Sequence, residues 1–574
     1  MELSSFDELR NGIDDACLEQ SDEDLLDNQL PWVVQHEPVS ILKHRIPVKP
    51  SFDDWAAAMR RQGRTLFPEP AQDTDERIRV LQQALADRSG RASLDYADTT
   101  LPQVVQQCLD SQEPFKAGRL HAYAAVWQEY MQGAAVQEQT ATQVMNILQH
   151  GVPLTRVHPL DEDKCKEHNH QRKYNGVRLA LQQTGMPMAA AEELLRGAEP
   201  GSVELPNRFA CEEDIEFARE QIDINVQRGV LIEWPWDDLK PWIVSPLSVV
   251  RNSRGKKRLI LDARYLNLFL VRWLFKYETP ADAIRIMQRL RLLWTLDFTA
   301  GYHHLFVMPR DWGYLGLQFE GKVFVHAALP FGVSIAPGVF TMMAQVTMAG
   351  LRQHQEALTG MIDDSLGGAT GVQEASKEMG TQMLVVTALG WLLSGQKCMR
   401  KPASEAEYLG FRFDAAAQMI FVPTEKLNRL LGDLQRLRTE WSVQLKRSIA
   451  GKLASMSLAL PFSSLLVRAL KFETEHENVN SVLGVEMQEF LLQHLPVLNG
   501  RPWTATVMPA STLVVDTSET ATGAFMLDGA WEAAIQFNAA DLQRMQEGTF
   551  SSTEREVVGI ARALKEVTVA GGDS

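Results

Sequence analysis

The sequence predicts an α+β chain with a helical N-terminal region, a mixed sheet-and-helix middle and a short α/β segment at its C-terminal end. Three observations carry the middle. The stretch Met361-Ile362-Asp363-Asp364-Ser365 sets two acids between apolar runs, with Gly360 before it and Gly367-Gly368 after, which reads as a β-hairpin with carboxylates at its tip. Leu293-Trp294-Thr295-Leu296-Asp297 is a second apolar run that ends in an acid. Around them the order is strand–helix–strand, twice over, which is the split β-α-β plan of a ferredoxin-like sheet. Strands side by side would bring Asp297 and Asp363 together as hard oxygen donors suited to divalent cations. Alone, an Asp-Asp pair between apolar runs is more often a polar turn; the order of the surrounding signals shifts that balance.

Composition bounds the rest. The 574 residues correspond to about three or four domains, and a 45% hydrophobic content supports sizeable cores. Five cysteines (Cys17, Cys108, Cys165, Cys211, Cys398) contain no CxxC pair. That argues against a disulfide framework or zinc ribbon and fits a reducing compartment. Residues Met1 to Asn11 lack the basic and apolar regions of a leader, and no apolar run matches a bilayer span. The expectation is an intracellular protein of the cytoplasm or nucleus with no membrane partner. The net charge of −16 is unevenly spread. Residues 1–30 carry ten acids against Arg10, whereas residues 251–310 carry twelve bases against four acids. The local field, not the total, decides where a polyanion lands.

Residues 1–50 read as an acidic, disordered tail. Residues 51–204 read as helical, with apolar residues at three- and four-residue steps in Thr74–Leu85 and Ala124–Leu148. They hold no catalytic constellation and no Asp-Thr-Gly or Asp-Ser-Gly, so a scaffold or interaction role is preferred. From Pro206 the texture changes. Glu213–Gly229 reads as an amphipathic helix, and Val230–Ile232 and Trp242–Val250 as strands. The last of these turns through Asn252–Gly255 into Lys256–Leu261, a hairpin with bases on both arms. Arg251, Lys256 and Arg258 there suit a triphosphate, although lysines also guard edge strands. Ala281–Leu292 reads as a helix delivering the strand to Asp297. Tyr302, five residues on, is either a core tyrosine or a ring beneath an incoming sugar. Residues 313–326 form a hairpin turning at Glu320-Gly321. Leu329 to Phe340 opens a helix, with Ser334 as its cap and Pro337 in its first turn. A helix over Gln373–Leu393 then leads to Lys397 and a strand pair around Tyr408–Phe413.

Taken together, Arg258-Leu-Ile-Leu-Asp262-Ala-Arg264-Tyr-Leu-Asn267, Leu296-Asp297-Phe-Thr-Ala-Gly-Tyr302-His-His, Leu329-Pro-Phe-Gly-Val-Ser-Ile-Ala-Pro337, Met361-Ile-Asp363-Asp364, Lys397 and Tyr408-Leu-Gly-Phe411 resemble a reverse transcriptase, in order, over roughly residues 205–430. The wording resembles retrotransposon enzymes, gypsy-like or DIRS-like, and leans to the latter. The resemblance implies a right-hand polymerase with fingers and a ferredoxin-like palm over 205–423 and a helical thumb and connection over 424–504. It implies RNA-directed DNA polymerase activity with two Mg2+ ions, Mn2+ as a substitute, on an RNA template, a DNA primer and deoxynucleoside triphosphates. Asp297 and Asp363 would bind the ions with Asp364 in support. Arg258 and Arg251 would hold the triphosphate, Tyr302 would exclude a 2′-hydroxyl, Phe331 and Gly332 would meet the nucleotide, and Lys397 would give a proton to pyrophosphate. One departure is Met361, where the family has an aromatic residue.

The helices Leu427–Leu437 and Lys446–Leu458 read as amphipathic, with Arg and Lys on one face that suits a hybrid's backbone. Residues 505–574 resemble the beginning of an RNase H domain. Asp516 ends a strand, Glu556 starts a helix, and both would be metal-holding carboxylates of that family. The further aspartate expected next is not matched by Ala570-Gly-Gly-Asp573-Ser574, so the expectation is an incomplete unit without RNase H activity of its own. A recombinase or integrase is expected on another chain. Two rivals remain open: a degenerate or domesticated copy that binds nucleic acid without polymerising, and a structural, capsid-like role for the N-terminal region.

Overall fold

The structure, a computed structural model, describes residues 50–88, 109–110, 114–154, 168–183, 186–196, 200–237, 239–251, 255–271, 275–353, 357–438, 442–460, 463–475, 482–503, 513–526 and 531–570. Residues 1–49 of the acidic tail expected at 1–50, the Asn252–Arg254 tip and Asp573 lie outside them. The chain divides into two compact units, Met1–Pro423 and Thr424–Ser574.

In the first unit the helices are α1 (Phe52–Arg61), α2 (Thr74–Arg88), α3 (Ala124–Gly133), α4 (Glu138–His150), α5 (His168–Gln183), α6 (Met188–Arg196) and α7 (Glu212–Gln227). The stretch expected as one helix from Ala124 breaks at Ala135, whose φ of +47° ends α3. Strands β1 (Val203–Glu204), β2 (Leu231–Glu233), β3 (Ile243–Val244), β4 (Leu247–Arg251), β5 (Lys257–Leu261), β6 (Leu292–Asp297), β7 (Gly316–Phe319), β8 (Lys322–His326), β9 (Leu358–Met361), β10 (Asp364–Ala369), β11 (Glu405–Tyr408), β12 (Phe411–Asp414) and β13 (Met419–Phe421) alternate with α8 (Arg264–Asn267), α9 (Pro280–Ile286), α10 (Ala336–Arg352) and α11 (Val372–Ala388).

The palm sheet is β6-β10-β9. The path β6–α10–β9 places β9 parallel to β6 with β10 between them, the split arrangement read from the sequence. The chain from Leu392 to Ala403 runs along the other edge of β6: Thr299 and Ser394 exchange backbone bonds with Leu392 and Asp297, and Leu293 and Ala403 bond reciprocally at 2.7 and 2.9 Å. The hairpin expected to turn at Glu320-Gly321 does so, and the strand pair expected around Tyr408–Phe413 turns at Leu409-Gly410, each with positive φ at both central residues. Three local readings are corrected. The helix before β6 stops at Ile286, and Arg289 then takes φ +65°. α11 stops at Ala388, followed by Gly390 at φ +93°, where a Cβ would lie 2.2 Å from the Tyr123 ring. Ser334 does not cap α10: the cap is Ile335 and makes no side-chain bond. The Ser334 N–H instead donates to Asn267 Oδ1 at 2.8 Å.

The boundary expected at 204–205 does not separate two cores. One apolar cluster runs from Trp55 to Cys398. Trp55 packs edge-on against Trp234, Trp236 and Trp312 at 4.5–5.4 Å. Trp127 Nε1 donates to Leu389 O at 2.8 Å, and the Tyr130 hydroxyl donates to Thr347 O. Arg119 Nε donates to Gly390 O at 2.9 Å. Val152 and Met308 exchange backbone bonds with Phe306 and Val152 at 2.8 and 2.9 Å. The helical region is a buttress behind the palm.

Buried histidines pin this joint in a neutral state. His121 Nδ1 meets Leu148 O at 2.8 Å, while its Nε2 accepts the Phe306 N–H at 2.8 Å. His304 Nδ1 meets Gly301 O at 2.9 Å and its Nε2 accepts the Leu392 N–H at 3.1 Å. A second proton on either ring would expel a backbone donor. Burial lowers His121 and His303 to about 4 and His304 and His326 to about 3. The unfolded chain therefore takes up protons that the folded one refuses, so stability is full above about pH 6.5 and is lost as pH falls below it. We expect the melting temperature of the first unit to fall steeply between pH 7 and pH 5. Phe in place of both His121 and His304 would flatten the fall; a pH-independent midpoint would refute the assignment.

The second unit contains α12 (Thr424–Leu437), α13 (Val443–Met456), α14 (Ser463–Glu475) and α15 (Val482–Leu498), which pack on one another. α12 buries Leu427, Leu430, Leu434 and Leu437. The expected basic face is corrected. Lys446 is 2% exposed within α13, Lys452 and Arg436 pair with Asp433, and Arg438 pairs with Glu489 at 3.1 Å. Strands β14 (Leu513–Thr517), β15 (Ala521–Met526) and β16 (Glu532–Gln536) form an antiparallel sheet. They are followed by α16 (Ala539–Gln546) and α17 (Ser552–Ala570), the latter packed on the sheet.

Candidate active site

β6 ends at Asp297, and β10 begins at Asp364, its direct cross-strand partner. Asp364 was expected only in support of an Asp297–Asp363 pair. The register sets Asp364 itself opposite Asp297, and directly opposed residues of an antiparallel pair share a face. Asp363 occupies the two-residue turn with Ile362, and its carbonyl accepts the Phe298 N–H at 3.0 Å. Ile362 has φ +54°. Positive φ at the first central residue alone is the II′ pattern, which favours glycine, so a β-branched residue there costs about 1–2 kcal/mol. Strain of this kind persists only where neighbours over-determine it.

The neighbours are polar and buried. Trp294 Nε1 donates to Gln382 Oε1 at 2.8 Å, and Gln382 Nε2 reaches the Ser365 hydroxyl at 2.9 Å. This relay ties β6, β10 and α11 together. Gly367 stands opposite Trp294, where a Cβ would lie 2.4 Å from the indole. Cys398 Sγ accepts the Asp297 N–H at 3.3 Å and its thiol donates to Asp297 O at 3.4 Å.

The three carboxylates repel one another. Burial, then Asp363 and Asp297, push Asp364 up to about 7. Burial and Asp297 also raise Asp363, against the pull of Lys397 and Arg258. Lys397 Nζ lies 2.8 and 3.0 Å from the Asp297 oxygens. Burial works against its charge, but the bond to Asp297 and the three acids prevail and raise it. The Lys397 side chain is 66% exposed, so this pair is weak as a stabiliser.

Tyr302, Phe331 and Asp363 converge on Gly301. A Cβ there would lie 3.8 Å from Phe331 Cζ and 3.9 Å from Asp363 Oδ2. The Tyr302 ring is nearly buried, 5.3 Å from Phe340 and 4.8 Å from Phe331. Phe331 itself is 43% exposed. Gly332, at φ +92°, leaves no room for a Cβ, which would lie 2.8 Å from Leu261 O. Asn267 holds this loop from behind, donating to Gly332 O and accepting from the Ser334 N–H, both at 2.8 Å.

No family model matches the chain. It is 23% identical over 279 residues to the Pro-Pol polyprotein of simian foamy virus type 1, covering 48% of this chain and 23% of that one. The chain thus spans less than a quarter of the length of this curated relative. Similar solved structures include foamy viral protease-reverse transcriptase in complex with double-stranded DNA, at 16% identity and a TM-score of 0.47, covering 84% of this chain and 75% of that one. The same protein in complex with an RNA/DNA hybrid gives 16% identity and a TM-score of 0.45, covering 77% of this chain and 55% of that one. These relatives are a foamy-viral Pro-Pol polyprotein and a foamy-viral protease-reverse transcriptase.

The structure does not gather every residue that the resemblance named. Arg258 is exposed and its charge acts on Asp363. Arg251 faces away: it pairs across the ribbon with Lys257, whereas Arg258 pairs with Val250, so alternation puts the two arginines on opposite faces. Arg251 Nη2 instead binds Asp214 of α7 at 2.7 Å, and Asp214 is fully buried. In the second unit Asp516 pairs with Gly523 and Thr517 with Thr522. A Cβ on Gly559 of α17 would lie 2.5–2.6 Å from the hydroxyls of Thr522 and Thr517. The Thr face therefore takes the helix, and Asp516 lies on the other face, beside the half-exposed Phe525. Glu556, on α17, is exposed. The alternation thus sets Asp516 on the face of the sheet away from the helix that carries Glu556.

Sequence reasoning gave no role to Gln382, Asn267, Cys398 or His304. Gln382 alone carried a signal, as a polar residue within the apolar run Met379–Val386.

Proposed function

We propose that the chain is an RNA-directed DNA polymerase of a retroelement, adding deoxynucleotides to a primer 3′-hydroxyl. The observation that carries this is the crowding of Asp297, Asp363 and Asp364 at adjoining ends of β6 and the β9–β10 turn, with Arg258 and Lys397 beside them. Among the described residues no three such side chains are closed into a finished metal cage. The donors are nonetheless all hard oxygens, and their mutual repulsion is what a divalent cation relieves. Two Mg2+ ions, or Mn2+, held by these three residues would activate the hydroxyl and neutralise the transferred phosphate.

The remaining roles fall to this chain's own groups. Arg258 offers its fork to the triphosphate. Phe331 is an exposed ring next to the acids, and Tyr302 beneath it limits space at the sugar. Lys397 keeps its proton in this acidic setting, so it has one to give to pyrophosphate. RNA template and DNA primer are the expected partners, in line with the nucleic acids bound in the foamy-viral complexes. No described helix is long and apolar enough to cross a membrane; we place the activity in the cytoplasm or nucleus, with recombinase or integrase supplied separately. We infer that Asp516 and Glu556 do not hydrolyse RNA here, since alternation sets Asp516 on the face away from the helix that carries Glu556.

The test is extension of a DNA primer on an RNA template with Mg2+ or Mn2+, using Asp297→Ala and Asp363→Ala as controls. Extension by the wild type and by neither variant is expected, with Lys397→Ala slowed about tenfold to a hundredfold. Retention of the hybrid without extension would instead establish a degenerate or domesticated copy that only binds.

A further inference from the structure

Glu278 lies two residues before α9, outside every motif singled out in the sequence. Its Oε2 accepts the Thr359 hydroxyl at 2.6 Å and the Gly360 N–H at 2.8 Å. Arg352 Nη2 lies 2.6 Å from the carboxylate, and Arg352 Nε donates to Leu358 O at 3.0 Å. One acid and one base thus grip three consecutive residues of β9, the outermost strand of β6-β10-β9. Thr359 is fully buried, and the next residues are Met361, the strained Ile362 and the acid pair. We propose that Glu278 is a positioning residue for the acid turn. By fixing the open side of β9, it supplies part of the over-determination that holds Ile362 at positive φ and so sets Asp363 and Asp364 against Asp297.

This rests on the polymerase reading for its kinetic readout only. Three variants are compared with wild type: Glu278→Ala, Glu278→Gln, which keeps an acceptor for Thr359 and Gly360, and Thr359→Val, which removes one hydroxyl. Hydrogen exchange is followed in peptides spanning 357–368, with 212–227 as reference, alongside primer extension. For Glu278→Ala we expect exchange across 357–368 at least about tenfold faster, with 212–227 unchanged. We also expect kcat at least about tenfold lower, with KM for deoxynucleotide within about twofold. Glu278→Gln should recover most of both, and Thr359→Val should fall between. Unchanged exchange in the hairpin, an equal rise in both peptides, or faster exchange with unchanged kcat would each overturn the proposal. If wild type itself extends no primer, the polymerase reading fails and exchange alone decides the role of Glu278.

Discussion

Asp364→Asn should abolish primer extension while making the protein harder to unfold. The loss should be about a thousandfold or more, because the variant removes a charge placed where phosphate is transferred. The gain follows from the sign of the shift. Asp364 titrates at about 7 in the folded chain, well above the usual carboxylate value, through burial and the two neighbouring acids. A raised carboxyl costs nothing below its unfolded value of 3.8; the cost grows from there up to the folded value and is constant above it. At pH 8 that cost is on the order of a few kcal/mol, and at pH 5 well under half of it. Asn carries no such cost, so the variant's melting temperature should exceed wild type clearly at pH 8 and only slightly at pH 5. The four lowered histidines pull in the opposite direction and outnumber the two raised carboxyls, Asp363 and Asp364, so wild type still loses stability on acidification and the variant loses it more steeply. Two measurements decide the matter: thermal unfolding at both pH values and extension rate. An active variant, or one no more stable at pH 8, would remove the electrostatic account of the acid cluster.

Trp127→Ala tests the buttress. Trp127 is fully buried, its ring lies 6.1 Å from Trp391, and Trp391 stacks on Phe298 at 4.6 Å, one residue beyond Asp297. Truncation leaves a large cavity and orphans Leu389 O, which should cost about 3–5 kcal/mol and lower the midpoint by roughly 5–15 °C. Helices and palm should unfold together, in a single transition. For the same reason residues 205–423 expressed alone should be insoluble. A soluble, cooperatively melting fragment would show that the palm owns a complete core and that the N-terminal helices merely rest on it.

The sequence disclosed what local chemistry dictates. Acids between apolar runs, a Glu-Gly turn and alternating strands placed the palm, the hairpin at Glu320-Gly321 and the acid turn. It could not disclose which of Asp363 and Asp364 faces Asp297, because one residue of register exchanges the faces. The same period-two rule defeated Arg251 and Asp516: being close in sequence to the right strand says nothing about which side of it a side chain takes. The buttress escaped for a different reason. Apolar spacing shows that a helix has a buried face, not what covers it, and the cover for α3 lies hundreds of residues away.

That distance has a consequence for how the protein is made. Trp127 bonds to a residue 262 positions later, and Arg77 Nη1 to Thr387 O, 310 positions later. At about 5–20 residues per second, the first helices leave the ribosome many seconds before the strands that complete their core exist. Trp55, Trp127 and Tyr130 pass that interval without their burial partners, as exposed aromatic surface attractive to chaperones and to other unfinished chains. Slowed translation between residues 150 and 390 would lengthen the exposure, and the yield of native protein should fall with it.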